Sequence, residues 1–89
     1  MRRKQVTINN KLGLHARAAA KFVTLASSFA SAIDITKDQQ TVNGKSIMGV
    51  MMLAASRGTR LVLTIDGEDE EAAADSLQRL IDEKFGEAE

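Results

Sequence analysis

One imidazole is available to this chain. His15 stands in Gly13-Leu14-His15-Ala16-Arg17-Ala18, where a polar, glycine-containing break gives way to a run with helical periodicity, so the ring falls at or just before a helix start. The first backbone N–H groups of a helix have no intrahelical partner and lie at the positive end of its dipole, which makes such a start a ready seat for an anion. A phosphoryl group on His15 would rest there, against Ala16, Arg17 and Ala18. Arg17 adds a planar guanidinium that can hold phosphate oxygens with two hydrogen bonds, a geometry lysine lacks. Imidazole, with a reference pKa of ~6.5, keeps a neutral, nucleophilic nitrogen near pH 7, and the same ring is a good leaving group. That pairing suits acceptance of a phosphoryl group followed by its release. The competing reading is a plain exposed or capping histidine. Ser, Thr, Asp and Asn are the favoured caps, however, and histidine followed by arginine is a poor choice for stability alone.

The rest of the chain supplies little catalytic apparatus. There is no cysteine, no second histidine and no P-loop glycine pattern, and the carboxylates crowd towards the last helix. A single nucleophile without supporting acids and bases implies that a partner enzyme provides the chemistry. No cofactor and no metal site is expected.

A second candidate site is Lys45-Ser46-Ile47-Met48-Gly49. Serine ahead of a short apolar helix is a favoured N-cap, so Ser46 is expected to cap whatever else it does. The helix that follows is too short to bury all its large apolar residues. Val50 and Leu53 fit one face, whereas Ile47, Met48 and Met51 fit another, where pliable methionines can meet several partners. These three, with Leu14, Lys21 and Lys45, are the expected docking residues around His15.

The elements that position these groups follow from periodicity. Val6 and Ile8 alternate with polar neighbours, predicting a strand from about Lys4 to Asn9. Ala19, Phe22, Val23, Ala26 and Phe29 share one face of a helix that begins at Ala16 and ends near Ser28. Ile33 and Ile35, a turn at Lys37-Asp38-Gln39-Gln40, and Thr41-Val42 ending at Asn43-Gly44 predict a hairpin. A short helix over Ile47 to Leu53 and a strand over Arg60 to Ile65 come next. Glu68-Asp69-Glu70-Glu71 then opens a last helix whose inner face is Ala73, Leu77, Leu80, Ile81 and Phe85. The order β-α-β-β-α-β-α, with alternating strands, reads as an α+β two-layer fold, a sheet covered on one face. At 89 residues, without repeats or linkers, one folding unit over residues 1–89 is expected.

Net charge is zero, but residues 1–65 hold 10 Lys/Arg against 2 Asp/Glu, and residues 66–89 hold 2 against 10. The basic part could steer an acidic protein or a nucleic acid. Nucleic-acid binding is disfavoured because three Phe are the only aromatic residues and no recognition helix rich in Arg, Asn and Gln occurs. The longest apolar run, Ile47 to Ala55, falls well short of the ~20 residues that cross a bilayer. The basic start runs into a strand pattern rather than a secretory core, so a cytoplasmic location without membrane insertion is expected.

With these residues in place, the chain resembles the HPr family, the histidine-containing phosphocarriers of the bacterial phosphoenolpyruvate-dependent phosphotransferase system. The resemblance rests on Gly13-Leu14-His15-Ala16-Arg17 and Lys45-Ser46-Ile47-Met48-Gly49, in that order and at that separation, and spans essentially the whole chain. It implies an open-faced β-sandwich of three helices on a four-stranded antiparallel sheet. It also implies that His15 takes a phosphoryl group at Nδ1 from phospho-enzyme I and passes it to an enzyme IIA component, with Arg17 assisting, in a protein that works as a monomer. Ser46 corresponds to the serine that an HPr kinase/phosphorylase modifies in some relatives; a phosphate there adds about −1.5 to −2 charge beside the basic face. Two other roles fit the same residues: a nitrogen-related paralogue in a regulatory phosphorelay, and a binding module governed by Ser46 phosphorylation. The chain departs from the family at Ala18, where proline is usual.

Overall fold

Alternation of apolar and polar residues builds the sheet. In the computed structural model, which describes all 89 residues, the strands are β1 (Arg2–Thr7), β2 (Ala32–Lys37), β3 (Gln40–Asn43) and β4 (Arg60–Asp66). They form one antiparallel sheet in the order β1-β4-β2-β3. Its register places Val6 opposite Leu61, Ile33 opposite Ile65 and Ile35 opposite Leu63. All six are buried while their strand neighbours Thr7, Asp34 and Asp66 are exposed, so one face of the sheet is covered.

The cover consists of α1 (Ala16–Ser27), α2 (Ile47–Met52) and α3 (Glu70–Asp82). α1 turns Ala18, Ala19, Phe22 and Ala26 inward, and α3 turns Ala73, Ala74, Leu77 and Ile81 inward. Small alanines on both inner faces let the two helices pack against each other. All belong to one cluster of 20 buried apolar residues. Each large side chain in it is worth roughly 1.5–3 kcal/mol of transfer free energy.

Several boundaries differ from the sequence reading for identifiable reasons. β1 begins at Arg2 and ends at Thr7, because Ile8 bonds instead to the loop before β4: its N–H donates to Thr59 O (2.9 Å) and its carbonyl accepts from Gly58 (2.7 Å). Gln40 belongs to β3, paired with Lys37, and the connection tightens onto Asp38-Gln39, with Asp38 at φ 54°. Asp and Asn are among the few side chains that enter this left-handed region readily. Asp69 occupies the N-cap of α3 yet does not cap it. Its carboxylate accepts from the N–H groups of Ala30 (2.8 Å) and Ser31 (2.9 Å) and from the Ser31 hydroxyl, tying the α1–β2 loop to the helix. Phe85, expected on the helix's inner face, lies beyond its end in a 3₁₀ turn (Lys84–Gly86); a left-handed backbone (φ 57°) delivers its ring to the core from a turn, fully buried. Leu80 is only half-buried.

Candidate functional site

The segment before α1 is held from two sides. Gly13 adopts φ 67°, and a Cβ there would lie 2.4 Å from the Ala55 carbonyl, so only glycine lets the loop pass this close to the exit from α2. The Leu14 N–H donates to that same carbonyl (2.8 Å). Buried Asn10 donates from Nδ2 to Gly13 O (2.8 Å) and to Glu87 Oε1 (3.0 Å).

His15 follows at the N-cap with extended backbone (φ −69°, ψ 177°), and its side chain makes no capping bond. Its carbonyl accepts from Ala19 (2.8 Å), the first bond of the helix. The N–H groups of Ala16, Arg17 and Ala18 therefore have no carbonyl to meet, and no side chain occupies them. The ring is 28% exposed. Its Nε2 contacts Glu87 Oε2, while Nδ1 makes no hydrogen bond. Arg17 is exposed and engaged in no ion pair. Around them lies an open depression of about 740 Å³, lined by Lys11, Leu12, the segment His15-Ala16-Arg17 and the segment Glu87-Ala88-Glu89. Asn10, first, and His15, second, hold the Glu87 carboxyl below its ordinary value by hydrogen-bonding its charged form.

The N–H groups of Ala16, Arg17 and Ala18, Nδ1 of His15 and the Arg17 guanidinium are thus all without an intramolecular partner in one loop-to-helix segment. Ser46 caps α2: its Oγ accepts from the Gly49 N–H (3.2 Å) and its carbonyl from Val50 (2.9 Å). Ile47 (41% exposed), Met48 (71%) and Met51 (43%) lie outward as expected, and Val50 and Leu53 inward. Met52 (67%) and Leu12 (66%) are also exposed, which the helical-face argument missed.

One expected docking residue is placed otherwise, and two carry bonds to distant carbonyls. Leu14 is buried in the core, 6% exposed, because its backbone is pinned to Ala55; it is no part of the surface. The Lys21 ammonium donates to Phe85 O (2.7 Å), tying α1 to the turn after α3, and that of Lys45 to Phe29 O (2.6 Å), tying the β3–α2 loop to the segment after α1. The sequence reading also missed Asn10 and Glu87. The carboxylates it assigned to the last helix do not all stay there: Glu87 reaches His15, and Glu89 reaches Lys11 (3.4 Å).

This arrangement can be set beside known proteins. A family model described as "PTS HPr component phosphorylation site" matches residues 2–83. A phosphocarrier protein HPr of Neisseria meningitidis serogroup A is 53% identical over 89 residues, the full length of both chains. The chain belongs to the HPr family. Another HPr-family relative, the phosphocarrier protein NPr of Shewanella violacea, is 45% identical over 85 residues, covering 96% of this chain and 93% of its own. Among solved HPr structures, that of HPr-C-His from Thermoanaerobacter tengcongensis superposes with a TM-score of 0.96 at 49% identity, covering all of both chains. An HPr dimer from the same organism gives 0.79 at 50% identity, covering 98% of this chain and 100% of that one. The chain thus has the HPr fold and the general phosphocarrier role of the phosphotransferase system. Its departure from the usual HPr pattern, Ala18, is fully buried with its N–H free.

Proposed function

We propose that this protein accepts a phosphoryl group from phospho-enzyme I at Nδ1 of His15 and donates it to an enzyme IIA component, as a single carrier domain working in the cytoplasm. The observation that carries this reading is the uncommitted Nδ1 beside three unpartnered helix-start N–H groups and an unpaired Arg17. The N–H groups and the guanidinium offset charge on the phosphoryl oxygens without reorganising, which supports both acceptance and donation. Ile47, Met48 and Met51, with Met52 and Leu12, form the apolar surface on which the partner enzymes dock. The link of the His15 loop to Ala55, just past α2, supports a single surface. Ser46 is a regulatory phosphorylation site for an HPr kinase/phosphorylase, a role compatible with its capping bond through a single oxygen.

The deciding experiment is intact mass after incubation with phosphoenolpyruvate and a bacterial enzyme I, for the parent and for His15→Ala. An acid-labile adduct on the parent alone is the expected result, and its absence under conditions that phosphorylate a control carrier overturns the reading. The similarity to an NPr favours one second reading, a carrier in a regulatory phosphorelay. Acceptor preference, tested with sugar-specific and nitrogen-related enzyme IIA proteins, separates the two.

A further inference from the structure

Glu87 is placed by the fold. One of its oxygens is held by the buried Asn10 amide at 3.0 Å. The backbone on either side is tied by the Glu87 N–H to Lys84 O (2.9 Å) and the Lys11 N–H to Glu89 O (3.0 Å). The side chain is only 15% exposed, and its second oxygen meets Nε2 of His15. An ionised carboxylate can only accept, so the proton in this contact belongs to Nε2. In the neutral ring that leaves the lone pair on Nδ1, the nitrogen without a hydrogen-bond partner; the partner of one ring nitrogen sets the state of the other.

We propose that Glu87 is the positioning residue of phosphoryl transfer, fixing His15 in the Nε2–H tautomer and supplying the counter-charge for the phosphorylated ring. The proposal rests on the carrier reading above. As the Nδ1 lone pair forms its bond to phosphorus, the bond from phosphorus to the donor breaks and its electron pair leaves with the donor. The Nε2 proton stays where it is. A ring bonded to phosphorus at Nδ1 and protonated at Nε2 carries a positive charge, which the Glu87 carboxylate faces directly. When the acceptor attacks, the Nδ1–P electron pair returns to the ring and the charge disappears. The phosphoryl oxygens are served by the helix start and Arg17, and the ring by Glu87, so each charge has its own partner.

The test uses the full chain, labelled with nitrogen-15, as parent, Glu87→Ala and Glu87→Gln. Imidazole nitrogen shifts report the tautomer before phosphorylation, and initial rates with phospho-enzyme I report transfer. The parent is expected in the Nε2–H form. Glu87→Ala is expected to mix the tautomers and slow transfer by about tenfold, the lower end of what loss of such an orienting partner costs. Glu87→Gln, whose amide oxygen still accepts from Nε2, is expected to restore the tautomer and recover part of the rate. If Glu87→Ala keeps both the tautomer and the rate, Glu87 has no positioning role. If the parent accepts no phosphoryl group, the carrier reading falls and this proposal with it, whatever the tautomer.

Discussion

Arg17 is exposed, and neither a carboxylate nor a carbonyl holds its guanidinium, although it stands in the first turn of a helix, where a cation is disfavoured by the dipole. Stability therefore gives no reason for it, whereas the doubly charged group proposed for His15 would. Arg17→Lys is expected to leave the urea midpoint within the ±0.5 kcal/mol typical of surface changes. It should slow phosphohistidine formation by roughly ten- to a hundredfold, the worth of one charge-assisted hydrogen bond of ~1.5–3 kcal/mol. Unchanged kinetics would remove Arg17 from the site. Ala18→Pro makes a complementary test. The Ala18 N–H has no intramolecular partner, so a proline removes no native bond and is expected to stabilise the chain by about 0.4–1 kcal/mol through the unfolded state. If phosphorylation persists, the N–H groups of Ala16 and Arg17 suffice as the seat. A large loss would assign the third donor a role in transfer. His15 and Arg17 stood out in the sequence because the roles proposed for them are local: a nucleophile and a clamp two residues apart at a helix start. Glu87 did not, since its partner lies 72 positions away and no periodicity links them. The tertiary bonds of Lys21 and Lys45 were hidden for the same reason, as a lysine's charge is visible in sequence and the distant carbonyl it serves is not.

At the level of elements, α2 is the most exposed to change. It has six residues, one fully buried side chain and a single side-chain cap, so it draws little stability from its own length. Removing the Ser46 hydroxyl leaves the Gly49 N–H without its partner, and Ser46→Ala should cost about 1 kcal/mol in urea unfolding. Met48→Asp should stay within ±0.5 kcal/mol, because the side chain is 71% exposed, and yet weaken binding to enzyme I and enzyme IIA. Unchanged partner affinity would separate this surface from docking. The order of strands and helices was readable throughout, since each amphipathic stretch had to turn its apolar side to a common core. Termini were less so. Ile8 keeps the alternation but leaves the ladder for loop carbonyls, and Phe85 keeps the helical spacing but reaches the core from a left-handed turn. In both cases burial obeys the pattern while the backbone obeys a tertiary hydrogen bond or a chain reversal that the pattern does not encode.

Across the whole molecule, ionised carboxylates fasten segments that packing alone would leave loose. Asp69 ties the α1–β2 loop to α3, and Glu87 ties the chain beyond the last turn to Asn10 and His15. The Ser31 hydroxyl, the Ala30 N–H and the Ser31 N–H hold Asp69 below its ordinary 3.8, and Asn10 and His15 hold Glu87 below its ordinary 4.5. A carboxyl whose folded pKa is depressed binds fewer protons folded than unfolded near its ordinary value, so stability rises with pH there. The contribution is fully present above the ordinary values. It is lost as pH falls below 4.5 for Glu87 and 3.8 for Asp69 and on through their lower folded values. The urea midpoint of the parent is therefore expected to be flat in these two contributions near neutrality and to decline on acidification, beginning with the Glu87 limb. Glu87→Gln should lower the neutral midpoint and flatten the upper part of the decline, and Asp69→Asn should do the same for the lower part. A double variant should show the sum of the two, because the groups fasten different segments and share no partner. An acid limb unchanged in both single variants would place the pH dependence in other carboxylates and reduce both ties to geometry without energetic weight.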